Sequence, residues 1–391
     1  MPTRPCWVEI CTRNLEDNFR FLAGVAAPHA ELLAIVKANA YGHGLELCAP
    51  AAVRGGARWL GVTSVEEGVA TRAVCPDAAI LVIGGVFPGQ GAEVVRHRLT
   101  VVAWEPWQLD ELARAARAAG ARVPVHLEVD TGMSRQGVAP GELTPLLGCF
   151  GAGSPLELDG VMTHLFAADE ANELVTAEQL AQMRGVLANV AAAGLKPAWC
   201  NVGNSAALLA GQAQTIGEMA AKHGMKALLR PGLALYGLAP QYDPAFDAEP
   251  PVLAAARGTL RPVLSWKSRV VTVRAVMPGA LVGYNGTFVA TEPMRLALVA
   301  AGYADGLDRR LGNHFSLLVR GQRAPLVGRV SMDQAVVDVT EIADVAAGDE
   351  VVLLGAQGSE AISAFDHAEA VGTIPWEIFT GIGPRVARVG V

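Results

Sequence analysis

Residues 32–37 read LLAIVK, a short apolar run that ends in a lysine. Seven more strand-like runs follow it, and amphipathic segments closed by glycine separate them. Open doubly wound sheets share this alternation, but eight repeats favour a closed (β/α)8 TIM barrel of about 250 residues. We therefore predict an α/β fold whose barrel strands lie in the runs 32–37, 59–64, 79–85, 100–104, 123–130, 158–165, 198–203 and 228–237.

The helical pattern ends after Gly237. Residues 240–251 are rich in proline and acidic side chains, which is typical of a linker. Short β-branched runs punctuated by glycine and proline follow, as in a small all-β module. The predicted organisation is a (β/α)8 barrel over residues 1–242, a linker over 243–255 and a C-terminal mainly-β domain over 256–391.

The composition excludes several classes of protein. Among 391 residues, 38 acidic against 31 basic side chains give a net charge of −7, which argues against a nucleic-acid partner. The hydrophobic fraction of 51% excludes a disordered chain. We find no signal peptide, no membrane span and no metal-binding pattern. The six cysteines form no C-x-x-C pair, and we expect them to be reduced thiols in a cytoplasmic protein.

Polar residues follow several of the barrel runs, where a TIM barrel places its active site. Lys37 ends the first run, and partial burial there would lower its pKa and suit it to Schiff-base chemistry. The alternative is a lysine that merely extends into solvent. Arg135 follows the fifth run and could bind a carboxylate, with Glu128 orienting it, or the two could form a structural ion pair. His164 ends the sixth run, and it could be a base, a ligand or a structural group.

The last two barrel runs carry a candidate phosphate site. Asn204 and Ser205 follow the seventh run and open a helix, although either could simply cap that helix. Residues 230–232 read RPG in the eighth run. The loops after these two strands are the usual phosphate site of TIM barrels. A phosphate site and a reactive lysine at one barrel mouth indicate pyridoxal phosphate.

Nine motifs in the chain resemble those of alanine racemases, which are fold-type III pyridoxal-phosphate enzymes. They occur in the expected order and extend the resemblance over residues 7–388. The motifs are AIVKANAYGHG (34–44), VDTGMSRQG (129–137), THLFAADE (163–170), GNSAA (203–207), RPGLALYG (230–237), VGYNGTF (282–288), GYADGLDRRLGN (302–313), GRVSMDQ (328–334) and TIPWEI (373–378).

The resemblance implies a two-base mechanism. Lys37 would bind pyridoxal 5′-phosphate covalently and act as the base on the D-face of the α-carbon. Tyr284 would be the base on the L-face, with His164 as its hydrogen-bond partner. Arg230 would face the pyridine nitrogen and keep it unprotonated, because an arginine can only donate. The family takes the tyrosine from the neighbouring subunit, which implies a homodimer with shared active sites.

The resemblance also implies the binding residues for cofactor and substrate. Arg135 and the backbone of Met332, from the partner subunit, would bind the carboxylate of alanine. The cofactor would be held by Lys37, Tyr41, His164, Asn204, Ser205, Arg230, Gly232, Leu233 and Trp376. The entrance to the substrate site would be lined by Asp169, Tyr303, Arg309, Arg329 and Ile374, although a charged surface network would account for them equally well.

The chain departs from the family pattern at four positions. Glu128 replaces a lysine that is carbamylated in many members, so we expect a carboxylate there without modification. Ser331 stands in place of a common cysteine, and Asn201 replaces a histidine near Arg230. Trp376 replaces a tyrosine that contacts the phosphate; its indole offers one donor and more bulk. We expect weaker cofactor retention and an altered tolerance for larger substrates.

The sequence therefore predicts an alanine racemase that supplies D-alanine for peptidoglycan. A broad-specificity amino-acid racemase is the nearest alternative, but such enzymes often carry export signals. A fold-type III amino-acid decarboxylase would need a glutamate where Arg230 stands. A non-catalytic pyridoxal-phosphate-binding barrel would lack the second domain. Substrate breadth, dimer affinity and a biosynthetic or catabolic role stay open.

Overall fold

The computed structural model describes residues 4–170, 173–241 and 249–391. Within them, contacts divide the chain into two compact units. The barrel unit comprises Arg13–Ala40 and Leu45–Arg261. The β unit comprises the described residues up to Thr12, the short segment Tyr41–Gly44 and Pro262–Val391.

The barrel unit contains a closed barrel of eight parallel strands. Strand β1 (Cys6–Ile10) and the helix Thr12–Ala26 precede it in the chain. Each strand pairs with the next, and the last pairs with the first through Ala30 and Ala227, which confirms the predicted TIM barrel. The strands are β2 (Ala30–Ile35), β3 (Trp59–Val62), β4 (Ala79–Val82), β5 (Thr100–Ala103), β6 (Val123–Glu128), β7 (Leu156–Met162), β8 (Trp199–Asn204) and β9 (Lys226–Arg230).

Burial explains why several of these strands are mainly apolar. All residues of β3 and β5 are buried, because helices cover the outer face of a parallel sheet and side chains fill the inside. The α-helices of this unit are Leu45–Gly55, Val65–Val74, Gly91–Arg96, Pro106–Ala119, Leu143–Leu147, Glu173–Ala192, Ser205–Leu209, Ala213–Ala221 and Pro251–Thr259, and its 3-10 helices are Pro140–Glu142 and Leu233–Tyr236.

The β unit is built on a mixed sheet with the long strand β10 (Leu264–Val276) at its centre, paired with three neighbours. The other strands are β11 (Leu281–Val282), β12 (Phe288–Val289), β13 (Met294–Val299), β14 (Ser316–Val319), β15 (Gln322–Pro325), β16 (Ala335–Asp338), β17 (Glu350–Gln357), β18 (Glu360–Ile362) and β19 (Ala387–Gly390). The helices Ala364–Val371 and Pro375–Gly381 and the 3-10 turns Tyr284–Gly286 and Arg309–Leu311 complete it.

Two predicted boundaries differ from the structure. Strand β1 belongs to the β unit and not to the barrel, because it pairs with β10 through Val8 and Trp266. The predicted linker over 243–255 includes residues 243–248, which lie outside the described residues, but its end is helical. Pro251 occupies the first turn of the helix Pro251–Thr259, where its missing N–H costs nothing.

The described residues show neither a membrane span nor a metal site. None of their helices combines the length and the apolar character needed to cross a bilayer. No group of three or more histidine, cysteine or acidic side chains among them has an arrangement that could hold a metal ion.

Candidate active site

Lys37 lies just after β2, at the carboxyl end of the barrel strands, and its side chain is half-buried. Burial lowers the pKa of its amine, and the positive charges of Arg135 and Arg230 lower it further. The carboxylate of Glu67 acts in the opposite direction. A lysine with a lowered pKa is unprotonated more often at neutral pH and is therefore a better nucleophile.

The backbone directly after Lys37 is left-handed. The φ angle is 51° at Ala38, 53° at Asn39 and 56° at Ala40, and it is 51° at Tyr41. Four successive non-glycine residues in this region are unusual, since each costs roughly 1–2 kcal/mol relative to a right-handed conformation. Strain of this kind persists only where surrounding contacts hold it, and it is concentrated at functional sites.

Arg230, the last residue of β9, is a buried cation with an extensive set of acceptors. Its Nη1 donates to the backbone oxygen of Asn201 at 2.8 Å and to Oδ1 of the same residue at 2.6 Å. Its Nη2 donates to the backbone oxygen of Thr163 at 2.9 Å and to Nδ1 of His164 at 3.0 Å. Within the described residues we find no acceptor for its Nε–H. One N–H of the guanidinium therefore stays available to a ligand.

A chain of hydrogen bonds inside the barrel holds the Asn201 side chain that contacts Arg230. Asn201 Nδ2 lies 3.2 Å from Nδ1 of His126, whose Nε2 lies 3.2 Å from Oδ2 of Asp159. Because a guanidinium can only donate, Oδ1 of Asn201 accepts from it and the amide nitrogen donates to His126. This places the proton of His126 on Nε2, directed to Asp159. Asn201, which replaces a histidine of the family, therefore does contact Arg230.

His164 follows β7 and is held neutral. Burial lowers its pKa to about 3, and the charges of Arg230, Arg135 and Lys37 add to this effect. Since Nδ1 accepts from Arg230, the ring proton lies on Nε2. His164 is thus a neutral hydrogen-bond donor at physiological pH.

The carboxyl ends of β8 and β9 form a cradle of donors around Ser205. Ser205 Oγ accepts from the backbone N–H groups of Gly232 at 2.9 Å and Ala234 at 3.3 Å. Asn204 caps the helix Ser205–Leu209 by accepting from the N–H of Ala207 at 3.0 Å. Two backbone N–H groups that converge on one oxygen beside a hydroxyl are a donor set that a phosphate oxygen could use in place of Ser205 Oγ. The side chain of Asn204 shapes this cradle through the cap.

Glu128 ends β6 and is buried, and its hydrogen-bond partner is Gln136. Gln136 also donates to the backbone oxygen of Ile83 at 3.1 Å, so one amide fixes the carboxylate to the neighbouring loop. Burial raises the pKa of Glu128, while Gln136 and the charges of Arg230 and Arg135 lower it. Arg135 itself is exposed, and no ion pair in the described structure joins it to Glu128. The suggested structural ion pair is therefore absent.

In the β unit, Trp376 contacts one of the predicted cofactor residues. Burial raises the pKa of Tyr41 to about 12. The indole of Trp376 forms a hydrogen bond with the Tyr41 hydroxyl, and this bond has a smaller effect that lowers the pKa. The next residue, Gly42, has φ of 77°, and a Cβ there would overlap the carbonyl oxygen of Phe379. Arg388 Nε also donates to the backbone oxygen of Gly42 at 2.9 Å. The segment Tyr41–Gly44 is thus firmly held within this unit.

Comparison with known proteins gives the family. Residues 10–240 match the model of the alanine racemase N-terminal domain, and residues 263–390 match that of the alanine racemase C-terminal domain. The chain belongs to the alanine racemase family. It is 40% identical to an alanine racemase of Symbiobacterium thermophilum over 386 residues, 98% of this chain and 97% of that protein.

Solved structures of alanine racemases have the same fold. The enzyme from D-cycloserine-producing Streptomyces lavendulae has a TM-score of 0.89 and 36% identity, over 100% of this chain and 98% of that one. The enzyme from Bartonella henselae, solved with covalently bound pyridoxal phosphate, has a TM-score of 0.83 and 29% identity over 100% of both chains. The resemblance drawn from the nine motifs and the predicted fold are confirmed.

Leu233 is buried at the start of the 3-10 helix Leu233–Tyr236, whereas the predicted second base, Met332 and the entrance residues lie at or near the surface. Tyr284 begins a 3-10 turn and has 67% of its surface exposed. In the described residues no ion pair joins Asp169, Arg309 and Arg329, so the alternative of a charged surface network is not what the structure shows. The exposed members of the predicted set are Tyr284, Tyr303, Arg309, Met332 and Ile374, and Asp169 and Arg329 are half-buried.

Sequence reasoning missed three residues that support the site. His126 and Asp159 fix Asn201 from within the barrel, and no local pattern connects them, because they belong to different strands. Glu67 contacts the backbone next to Lys37. A signal for it was present, since Ser64 and Glu67 have the spacing of a helix capping box, but that motif predicts only a helix start.

Proposed function

We propose that this protein is an alanine racemase, an isomerase that interconverts L-alanine and D-alanine with pyridoxal 5′-phosphate. The observation that carries the proposal is the half-buried amine of Lys37, whose pKa is lowered by burial and by two arginines at the barrel mouth. Family membership over nearly the whole chain supports it. So does the related enzyme of Bartonella henselae, which holds the cofactor covalently.

The donor set of the barrel unit fits this cofactor. Arg230 has one unengaged N–H for the pyridine nitrogen, and it would keep that nitrogen unprotonated. The cradle of Ser205, Gly232 and Leu233 would hold the phosphate, with Asn204 shaping it. When bound, pyridoxal phosphate withdraws electrons from the α-carbon of the substrate, so that its proton can leave.

Lys37 and Tyr284 would be the two bases. Racemisation needs a proton to leave from one face of the α-carbon and another to arrive on the opposite face. Lys37 would serve the D-face and Tyr284 the L-face. The neutral His164 supports this assignment, because its Nε2–H could donate a hydrogen bond to the phenol oxygen of Tyr284 and hold that side chain in place.

We further propose a homodimer in which each site takes Tyr284 from the partner. Leu281, Tyr284, Val289 and Met332 are large apolar side chains that lie exposed on the β unit, and a second copy would bury them. Met332 would then contribute its backbone N–H to binding the carboxylate of alanine, together with Arg135.

Substrate breadth is the main alternative within this class. A broad-specificity racemase would share the two bases and differ at the entrance, where we place Asp169, Tyr303, Arg309, Arg329 and Ile374. Trp376 is the first residue to examine, because it replaces a tyrosine of the family.

Glu128 supplies a carboxylate directly, so we predict no carbamylation. We also propose that the protein supplies D-alanine for peptidoglycan. We propose a cytoplasmic location, because all six cysteines are free thiols.

The function is tested by incubating purified protein and pyridoxal phosphate with L-alanine and measuring D-alanine by chiral chromatography. We expect conversion to an equal mixture of the enantiomers, and slower conversion of L-serine, L-lysine and L-arginine. Lys37→Ala is expected to lose activity by at least about a thousandfold, since it removes the covalent link to the cofactor and one base.

Three results would contradict the proposal. Release of CO₂ in place of racemisation would identify a decarboxylase. Comparable rates on alanine and on the larger amino acids would identify a broad-specificity racemase. Cofactor binding that depends on Lys37, without turnover of any substrate, would leave a binding protein.

Replacement of Trp376 is expected to change cofactor affinity. Trp376→Phe removes the indole N–H that bonds to Tyr41, so we expect the Kd for pyridoxal phosphate to rise by about three- to tenfold. Trp376→Tyr restores the residue of the family and is expected to bind the cofactor more tightly than wild type and to change the serine-to-alanine ratio. Fluorescence titration of the apoprotein measures the cofactor affinity of both variants, and racemisation rates on L-serine and L-alanine give the ratio. Wild-type affinity in both variants, with an unchanged ratio, would refute this role.

A further inference from the structure

One carboxylate connects the backbone after Lys37 to the neighbouring strand. Glu67 Oε1 accepts from the backbone N–H of Ala38 at 2.7 Å, and its Oε2 accepts from the N–H of Thr63 at 2.7 Å. Ala38 follows β2 and Thr63 follows β3, and these strands are adjacent in the barrel. Each oxygen of Glu67 thus holds the end of a different strand.

The bond to Ala38 acts directly on Lys37. The N–H of Ala38 belongs to the peptide plane that joins the two residues, so holding this N–H fixes the ψ angle of Lys37. That angle sets the direction in which the lysine side chain leaves the backbone. The residues that follow are left-handed, and Asn39 Oδ1 accepts from the N–H of Leu45 at 2.8 Å to close the turn. Glu67 is the side chain that holds the start of this strained turn.

A helix cap does not account for Glu67. In a capping box its carboxylate would bond to the N–H of Ser64. Here Ser64 Oγ caps the helix Val65–Val74 by accepting from the N–H of Glu67 at 3.3 Å, while the carboxylate is directed to Ala38 and Thr63. The helix start is therefore satisfied without the Glu67 side chain. The adjacent Glu66 is exposed and bonds to Gln90 at 2.8 Å.

We propose that Glu67 is a positioning residue for Lys37: its carboxylate fixes the lysine backbone at the barrel mouth and places a negative charge beside the amine. The inference rests on the proposed function, in which Lys37 binds the cofactor. A carboxylate is required because both of its oxygens accept hydrogen bonds. Glutamine would present an NH₂ group to one of the two backbone N–H groups.

The charge of Glu67 has its own consequence. The carboxylate raises the pKa of Lys37, while burial, Arg135 and Arg230 lower it. Removing the charge is therefore expected to lower the pKa of the amine further. The unprotonated amine would then persist to lower pH, and any reaction that needs it would extend to lower pH.

The test measures the rate at which pyridoxal phosphate attaches covalently to apoprotein across a pH series, followed by cofactor absorbance. In Glu67→Gln we expect the pH profile to move to lower pH and the plateau rate to fall by roughly tenfold, because the lysine is misdirected. With alanine, kcat is expected to fall by a similar factor, while KM stays within about twofold. Glu66→Gln, the matched control, is expected to behave as wild type in both assays.

A wild-type pH profile and plateau rate in Glu67→Gln would overturn the proposal. Glu67→Asp retains the charge but shortens the reach, so it is expected to keep the wild-type pH midpoint and lose rate. If Glu67→Gln does not fold, this second variant decides, and wild-type rates in it would overturn the proposal. Absence of racemase activity in wild type would instead count against the proposed function, since attachment to Lys37 is measured without the reaction.

Discussion

Mixing a Lys37→Ala subunit with a Tyr284→Phe subunit is expected to restore racemase activity that neither variant has alone. Each single variant should lose roughly a thousandfold, because each lacks one of the two bases. If Tyr284 comes from the partner, a mixed dimer contains one site with both bases intact. Random exchange then restores about a quarter of wild-type activity, since half of the dimers are mixed and half of their sites are complete.

A reciprocal mixture controls for this result. Wild type mixed with the double variant Lys37→Ala and Tyr284→Phe produces mixed dimers without any complete site if the tyrosine acts across the interface. The total activity would then be about half of that expected for sites within one subunit. No restoration in the first mixture, together with full additivity in the second, would place both bases in one chain. Co-expression with two affinity tags isolates the mixed dimers.

The barrel could be predicted from sequence because its strands are local and uniform. Strands such as β3 and β5 are buried on both faces, so each appears as an uninterrupted apolar run. Glycine closes some of the intervening helices, as at Gly120, which takes the left-handed conformation after Pro106–Ala119. These signals lie within a few residues of the element that they define.

The remainder of the fold depends on contacts that no local pattern contains. Strand β1 pairs with β10 more than 250 residues later in the chain, so its apolar residues gave no indication of the unit to which it belongs. The helix Pro251–Thr259 follows a segment rich in proline, which predicts a linker. Proline in the first helical turn is nevertheless compatible with a helix.

In the candidate site, too, local sequence signals predict some features, and other features depend on contacts between distant residues. Lys37, Arg135 and Arg230 were predicted because each follows or ends a barrel strand within a recognisable motif. Their chemical properties required the structure, since the lowered pKa of Lys37 results from burial and from the charges of the two arginines. The support by Glu67 comes from the helix after β3 and that by His126 comes from β6, so both depend on contacts between separate elements of the barrel.

The two arginines of the site are expected to differ sharply in their effect on stability. Arg230 is buried with four hydrogen bonds, so Arg230→Leu would leave several buried acceptors unpaired. We expect the free energy of unfolding of the apoprotein to fall by about 3–5 kcal/mol, a large part of the roughly 5–15 kcal/mol of a typical domain.

Arg135→Leu is the matched control, because this arginine is exposed and its loss leaves no buried group unpaired. Its effect on the free energy of unfolding is expected to stay within about 0.5 kcal/mol, while KM for alanine rises. Urea denaturation of the two apoproteins measures the difference. Equal losses of stability would show that the buried hydrogen bonds of Arg230 contribute little. Arg230 would then be retained for its contact with the cofactor alone, whereas the expected difference assigns it a second role in holding β7, β8 and β9 together at the barrel mouth.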